Sequence, residues 1–148
     1  MSKLEIKKYG DPVLRKKTTA VLEINADIKK LASNMLETMY LAKGVGLAAP
    51  QVGISLRLCV IDVDPNKKYP VVMINPEIIS GENKVSAGEG CLSFPGVYEN
   101  VERFGNVVAK YTDLNGKQCE VKAQDLLAKA MQHEIDHLDG KLFIDYLC

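Results

Sequence analysis

Both histidines of the 148-residue chain fall in one stretch, His133-Glu134-Ile135-Asp136-His137. On a helix, a spacing of four residues stacks two imidazoles on one face a turn apart, which suits two ligands of one metal ion. Glu134 lies ~100° round the helix from His133, near enough to meet a water held on such an ion. The same pattern also occurs by chance on solvated helices, and that bland alternative stands beside the metal reading. A catalytic ion of this kind takes three protein ligands and leaves one position open. Only eleven residues follow His137, with Asp139 and Asp145 as their side-chain carboxylates and no further His. That is too short for a helix carrying a distant Glu, so the third ligand is sought upstream. Cys91 is the best candidate. It follows Gly88-Glu89-Gly90, where glycines let the backbone approach another group closely. A thiolate with two imidazoles suits Zn or Fe(II).

The other cysteines carry less. Cys59 sits inside an apolar run and reads as a small buried hydrophobe, while Cys119 and Cys148 receive no functional reading. Four unevenly spaced cysteines in a chain without a signal-peptide pattern point to reduced thiols of a cytosolic protein rather than to a disulfide framework. A second glycine-rich stretch, Gly44 to Gly53, lacks the lysine and Ser/Thr of a phosphate-binding loop and follows a helical pattern. Its small residues suit close packing against another element or a substrate, and Gln51 can offer a neutral amide donor to a developing oxyanion.

The elements that must position these residues are legible in outline. The length predicts one domain, and 47% hydrophobic with 26% charged residues is an ordinary globular composition. Nineteen basic and nineteen acidic residues cancel, which argues against a nucleic-acid binder working through a basic field. Every apolar run is too short to span a membrane. Ile28, Leu31, Met35, Met39 and Ala42 recur at helical spacing and predict a helix over Asn25–Lys43, with Gly44 as its C-cap glycine. Leu56–Val63 and Val71–Ile74 read as strands. Val107–Thr112 and Gln118–Val121 flank Asn115-Gly116 as a β-hairpin. Gln124–Leu138 returns to helix, with Asp125 helping to satisfy its first amides and Gly140 ending it. Glu and His on the apolar stripe of that helix need partners in a core, and a metal is one way to supply them.

Three motifs stand in order: GVGLAAPQ at Gly44–Gln51, EGCLS at Glu89–Ser93 and HEIDH at His133–His137. Together they resemble those of the peptide deformylase family, and the likeness runs from Gly10–Arg15 to Leu142–Tyr146. The resemblance implies an α+β fold, with antiparallel β-sheets packed around a central HExxH helix and an N-terminal helix, in a single catalytic domain over residues 1–148. It makes Cys91, His133 and His137 the ligands of one divalent metal ion. Ferrous iron is the family's usual metal in cells, and zinc, nickel or cobalt can occupy the same site, since such a donor set accepts all of them. Glu134 becomes the general base and acid, and Gln51 and the Leu92 amide become donors to the oxyanion.

The implied reaction is hydrolysis of the N-formyl group from the N-terminal formylmethionine of nascent peptides, releasing formate, with metal-activated water attacking the formyl carbon. The peptide is expected as an added strand beside Gly44, Val45, Gly46 and Leu47. The methionine side chain is expected in a pocket lined by Val45, Leu127, Ala130 and the apolar face of the His133 helix. Asp136 is either a partner for a ligand imidazole or a surface or structural residue, and Glu89 and Arg103 are either a pair holding the Cys91 loop or two solvated charges. Two departures from the family pattern stand out. Tyr98 occupies a position that is basic in many members, and the chain stops two residues after Tyr146, without the C-terminal helix that docks some members on the ribosome. Transient ribosome contact without that helix, a cytoplasmic location (an organelle, if a transit peptide was removed), no membrane and no nucleic acid in the active site complete the expectation. A peptidase of the zincin type and a non-catalytic metal-binding domain are the alternatives. The missing downstream ligand weighs against the first, and the presence of both Glu134 and Gln51 against the second.

Overall fold

The computed structural model describes residues 3–142 and Asp145. Phe143, Ile144 and Tyr146, from the end of the family likeness, and Cys148 lie outside the described residues. Asn25 opens the first helix, α1 (Ala26–Leu41), by accepting a hydrogen bond from the Ile28 amide at 3.0 Å. Ile28, Ala32, Met35 and Met39 form its buried face. Its end differs from the expectation. Lys43, not Gly44, takes the left-handed conformation, at φ 59°. The Lys43 amide donates to the Tyr40 carbonyl and the Gly44 amide to that of Met39, both at 3.0 Å, which satisfies the last turn. Gly44 packs instead against the Leu92 side chain: a β-carbon there would stand 2.8 Å from Leu92 Cδ1, so Leu92 would have to shift.

Five strands follow, β1 (Gly46–Ala48), β2 (Leu58–Ile61), β3 (Val71–Cys91), β4 (Phe94–Thr112) and β5 (Gln118–Gln124), paired antiparallel in sequence order as one sheet. β2 is buried at all four positions because both of its faces are covered. Leu58 and Val60 pack on the α1 side with Met35 and Met39, while Cys59 and Ile61 pack on the opposite side with Met131 and Leu138. A continuous apolar run therefore marks a strand between two layers. β3 and β4 are far longer than the expected strands. A register shift between Ile74 and Glu77 carries β3 past Asn75, at φ 51°, and Pro76, where the sequence reads as a break. The predicted hairpin is present: Asp113 Oδ1 accepts from the amides of Asn115 at 2.9 Å and Lys117 at 3.0 Å, and Gly116 sits at φ 80°.

The second helix, α2 (Asp125–Leu138), is buried from Ala130 to Ile135 and again at His137 and Leu138. Its cap differs from the expectation, since Gln124 holds the N-cap position without a side-chain capping bond and Asp125 is the first helical residue. Gly140 ends the helix as predicted, at φ 74°, with its amide on the His137 carbonyl at 3.1 Å. The Leu138 carbonyl accepts from Thr18 Oγ1 at 2.6 Å, and Arg57 pairs with Asp139 at 2.8 Å, so the helix end is pinned beside the chemistry. Ala48, Ala109, Ala123, Ala128 and Ala130 let α2 approach the sheet closely, with Met131 between them. Truncating a fully buried Met131 to Ala would cost ~2–5 kcal/mol. The architecture is α+β, an antiparallel sheet with α1 and α2 against it. Among the described residues no helix is long and apolar enough to cross a membrane, and Cys59, Cys91 and Cys119 are free thiols.

Candidate metal centre

α2 supplies His133, Glu134 and His137, and the tip of the β3–β4 hairpin supplies Cys91. Cys91 pairs with Phe94, so Leu92 and Ser93 form a two-residue turn that projects the thiol toward the helix. His133 Nε2 and His137 Nε2 lie 3.2 Å apart, and Cys91 Sγ lies 3.3 Å from His137 Nε2. One donor atom from each of the three falls within 4.8 Å of the others. Metal–ligand bonds of ~2.0–2.3 Å at tetrahedral angles separate donors by ~3.3–3.7 Å, close to these spacings. The charge of the site also suits a cation. Burial works against charge on His133, yet Glu134, Cys91 and Glu89 around it outweigh this and raise it to about 10. Surroundings that hold a proton there favour a metal ion in its place. Burial, with His133 beside it, keeps His137 neutral.

Acidic and basic groups behind the histidines fix their orientation. His133 Nδ1 meets Glu89 Oε1. Arg103 grips the same carboxylate through Nη2 at 2.7 Å and Nε at 3.2 Å, and its Nη1 donates to Asp136 Oδ2. Glu89 and Arg103 are 4% and 6% exposed, so the solvated-charge alternative does not hold. Burial alone would raise the Glu89 carboxyl, but the hydrogen bonds from His133 and Arg103 hold it down at about 2. Asp136 pairs with Arg103, which in turn holds the carboxylate that meets His133. Such partners fix which ring nitrogen faces the cation.

Glu134 is 4% exposed, and burial pushes its carboxyl up to about 7. Its Oε1 is buried without a hydrogen-bond partner among the described residues, as is His137 Nδ1. Gln51 is buried too, and its amide is oriented at both ends. Oε1 accepts from the Ala48 amide at 2.9 Å, while Nε2 donates to Ser93 Oγ at 3.2 Å and faces Cys91 Sγ at 3.5 Å. Ser93 thus joins the site, although the sequence reading gave it no role beyond its place in the EGCLS motif.

A cleft of about 820 Å³ opens onto these groups. Of the residues expected to meet substrate, Gly44, Val45, Gly46 and Ala130 line it, and so does Leu92. Leu47 and Leu127 do not. Leu47 is fully buried on the α1 side of the sheet, and Leu127 packs against the core on the other side. Leu126 and Lys129 border the cleft instead. The signal for them was helical spacing, since they precede His133 by seven and four residues and so share its face. β1 is an edge strand of the sheet. With Gly46 opposite Ile61 and the Asp62 amide on the Val45 carbonyl, the Gly46 amide and carbonyl point away from β2 toward the open side.

A sequence model of the polypeptide deformylase family matches residues 3–148. A peptide deformylase of Endomicrobium trichonymphae is 76% identical over 147 residues, which cover 99% of this chain and 88% of that one. Among solved structures, a peptide deformylase from Legionella pneumophila superposes with a TM-score of 0.97 at 46% identity, covering 99% of this chain and 87% of the other. The corresponding enzyme from Thermotoga maritima gives 0.95 at 43% identity, over 100% and 99% of the two chains.

Proposed function

Since the chain belongs to the polypeptide deformylase family, whose members remove the formyl group from nascent peptides, we propose the following division of labour among its residues. Cys91, His133 and His137 hold one divalent cation, ferrous iron in the cell, with zinc, nickel or cobalt as substitutes the same donors accept. When bound, that cation supplies Lewis acidity, which makes water a nucleophile near neutral pH and polarises the formyl oxygen. Glu134 removes the proton of the attacking water and later returns one to the departing amine. A carboxyl raised to about 7 by burial is suited to both transfers. As oxygen adds to the formyl carbon, negative charge gathers on the formyl oxygen, and Gln51 Nε2 and the Leu92 amide donate to it. The C–N bond then breaks to give formate and a free methionine amine.

The peptide main chain pairs with the open edge at Gly46, and Val45 and Ala130 border the space for the methionine side chain. Residues 1–148 act as a single catalytic domain on nascent peptides in the cytoplasm, touching the ribosome only in passing. The observation that carries the reading is the buried carboxyl of Glu134 beside three convergent soft and borderline donors. Formate release from formyl-Met-Ala-Ser by enzyme loaded anaerobically with Fe(II) or Ni(II) tests it. Release is expected from the native chain and is expected to fall ~10²–10⁴-fold in a Glu134→Ala variant that keeps its metal. No release by the loaded native enzyme would overturn the function, and a wild-type rate in the variant would overturn the role of Glu134.

A further inference from the structure

Gln51 and Leu92, the two donors assigned to the formyl oxygen, come from separate turns, Ala49–Val52 and the tip between β3 and β4. One further segment bonds to both. The Lys7 amide donates to the Gln51 carbonyl at 2.6 Å, and the Tyr9 amide donates to the Ser93 carbonyl at 2.8 Å. Two residues of chain reach at most ~7 Å, so these bonds limit how far apart the two turns sit. The segment is anchored on either side. The Leu4 amide donates to Thr38 Oγ1 of α1 at 2.8 Å, and beyond Tyr9 the Leu14 side chain is buried with Phe94 and Leu142. The Tyr9 ring lies against Phe94, which closes the Leu92–Ser93 turn, with ring centroids 4.7 Å apart. Tyr9 is nevertheless 59% exposed, so its side chain adds little to the core. Its amide is the part that reaches the site.

We propose that Tyr9 is a positioning residue for the oxyanion donors, its amide acting through the Ser93 carbonyl to hold the Leu92 amide in line with Gln51 Nε2. The proposal rests on the deformylase reading, in which both donors act on the formyl oxygen. Ser93 is the shared point. Its carbonyl takes the Tyr9 bond, its hydroxyl accepts from Gln51 Nε2 at 3.2 Å, and the residue is wholly buried. Oxyanion donors work by being held in advance where charge develops. A group displaced by about 1 Å loses on the order of 10²-fold in rate. That charge is absent from the ground state, so the loss falls on kcat and leaves KM unchanged.

The local backbone supplies the variant. The Lys8 carbonyl accepts from the Asp11 amide at 3.1 Å across Tyr9-Gly10, and Gly10 sits at φ 104°. A type II turn of this kind favours proline at its second position. Tyr9→Pro therefore removes the amide proton and keeps the turn, while Tyr9→Ala removes the ring and keeps the amide. With formyl-Met-Ala-Ser, kcat is expected to be ~10–100-fold lower in Tyr9→Pro than in Tyr9→Ala, at equal KM and metal content. In the zinc-loaded protein, the NMR order parameter of the Leu92 amide is expected to fall from about 0.85 to below about 0.6 in Tyr9→Pro alone. Equal kcat in the two variants, a loss carried by KM or by metal content, or an unchanged order parameter would overturn the proposal. The order parameter needs no turnover, so it is read apart from the deformylase activity, which formate release by the native enzyme tests.

Discussion

Gly46 and Glu134 touch so closely that a β-carbon at position 46 would stand 2.4 Å from Glu134 Oε2. The absent side chain brings the edge strand proposed to receive the peptide against the carboxyl proposed to move the proton. In that reading one backbone position serves both binding and chemistry.

Gly46→Ala should displace the Glu134 carboxylate while leaving Cys91, His133 and His137 unaltered. A shift of about 1 Å at a reacting group costs on the order of 10²-fold in rate. Formate release is expected to fall by that order with metal content unchanged. An alanine variant with native kcat would show that Glu134 has room to move aside.

Arg103 neutralises Glu89 in a place that water does not reach. Arg103→Met leaves the Glu89 carboxylate with His133 as its one remaining named partner, and loss of one partner of a buried pair costs up to ~3–5 kcal/mol. Urea unfolding of the metal-free variant is expected to register that loss. Because Glu89 also orients His133, metal affinity should weaken ~10–100-fold. Native stability and affinity together would mean that Glu89 finds another partner.

Cys91→Ala leaves, of the three candidate ligands among the described residues, the two imidazoles of α2. Anaerobically purified protein is expected to lose its bound metal on dialysis, and with it formate release. Full metal content, measured by native mass spectrometry, would move the third ligand elsewhere.

Tyr40 gives an alkaline signature away from the metal. Burial, helped by its 2.6 Å hydrogen bond to Asp62, raises the phenol from 10.0 to about 12. A group whose folded value is raised contributes stability that is complete below the unfolded value and is lost as pH rises through the folded one. Stability should therefore decline between pH 10 and about 12 as the unfolded chain ionises first. Tyr40→Phe lacks this contribution, so thermal unfolding curves of the two proteins should converge as pH rises through that window. A constant gap would assign the alkaline loss to other groups.

What the sequence disclosed follows from how local each feature is. The convergence of His133 and His137 on one face of α2 was legible because helix geometry alone sets their spacing. The Asn115-Gly116 hairpin was legible because its turn chemistry is self-contained. The length of β3 and β4 was not, since Asn75-Pro76 and the glycines at 81, 88, 90, 96 and 105 look like breaks when read singly. Those two strands hold together by pairing with each other across the chain, which no local window contains. The exchange of Leu127 for Leu126 at the cleft has the same origin. Both lie on a helix buried on several sides, and which flank faces the cleft depends on where the hairpin docks. Gly44 reads as a helix stop because glycine often serves there, whereas in the structure Lys43 takes the left-handed turn and Gly44 packs against Leu92.

The shortness of β1 bears on self-association. An open sheet edge is a template for any extended chain, including another copy of the same protein, and long flat edges nucleate aggregates. Here the strand is three residues long, and Gln51 already occupies the Ala48 amide at its far end. Beyond it the Ala49–Val52 turn, with Pro50, stops the ladder. A single residue, Gly46, is left with its amide and carbonyl outward. That would suffice to grip the end of a peptide, as proposed above, and is too little to seed a growing sheet.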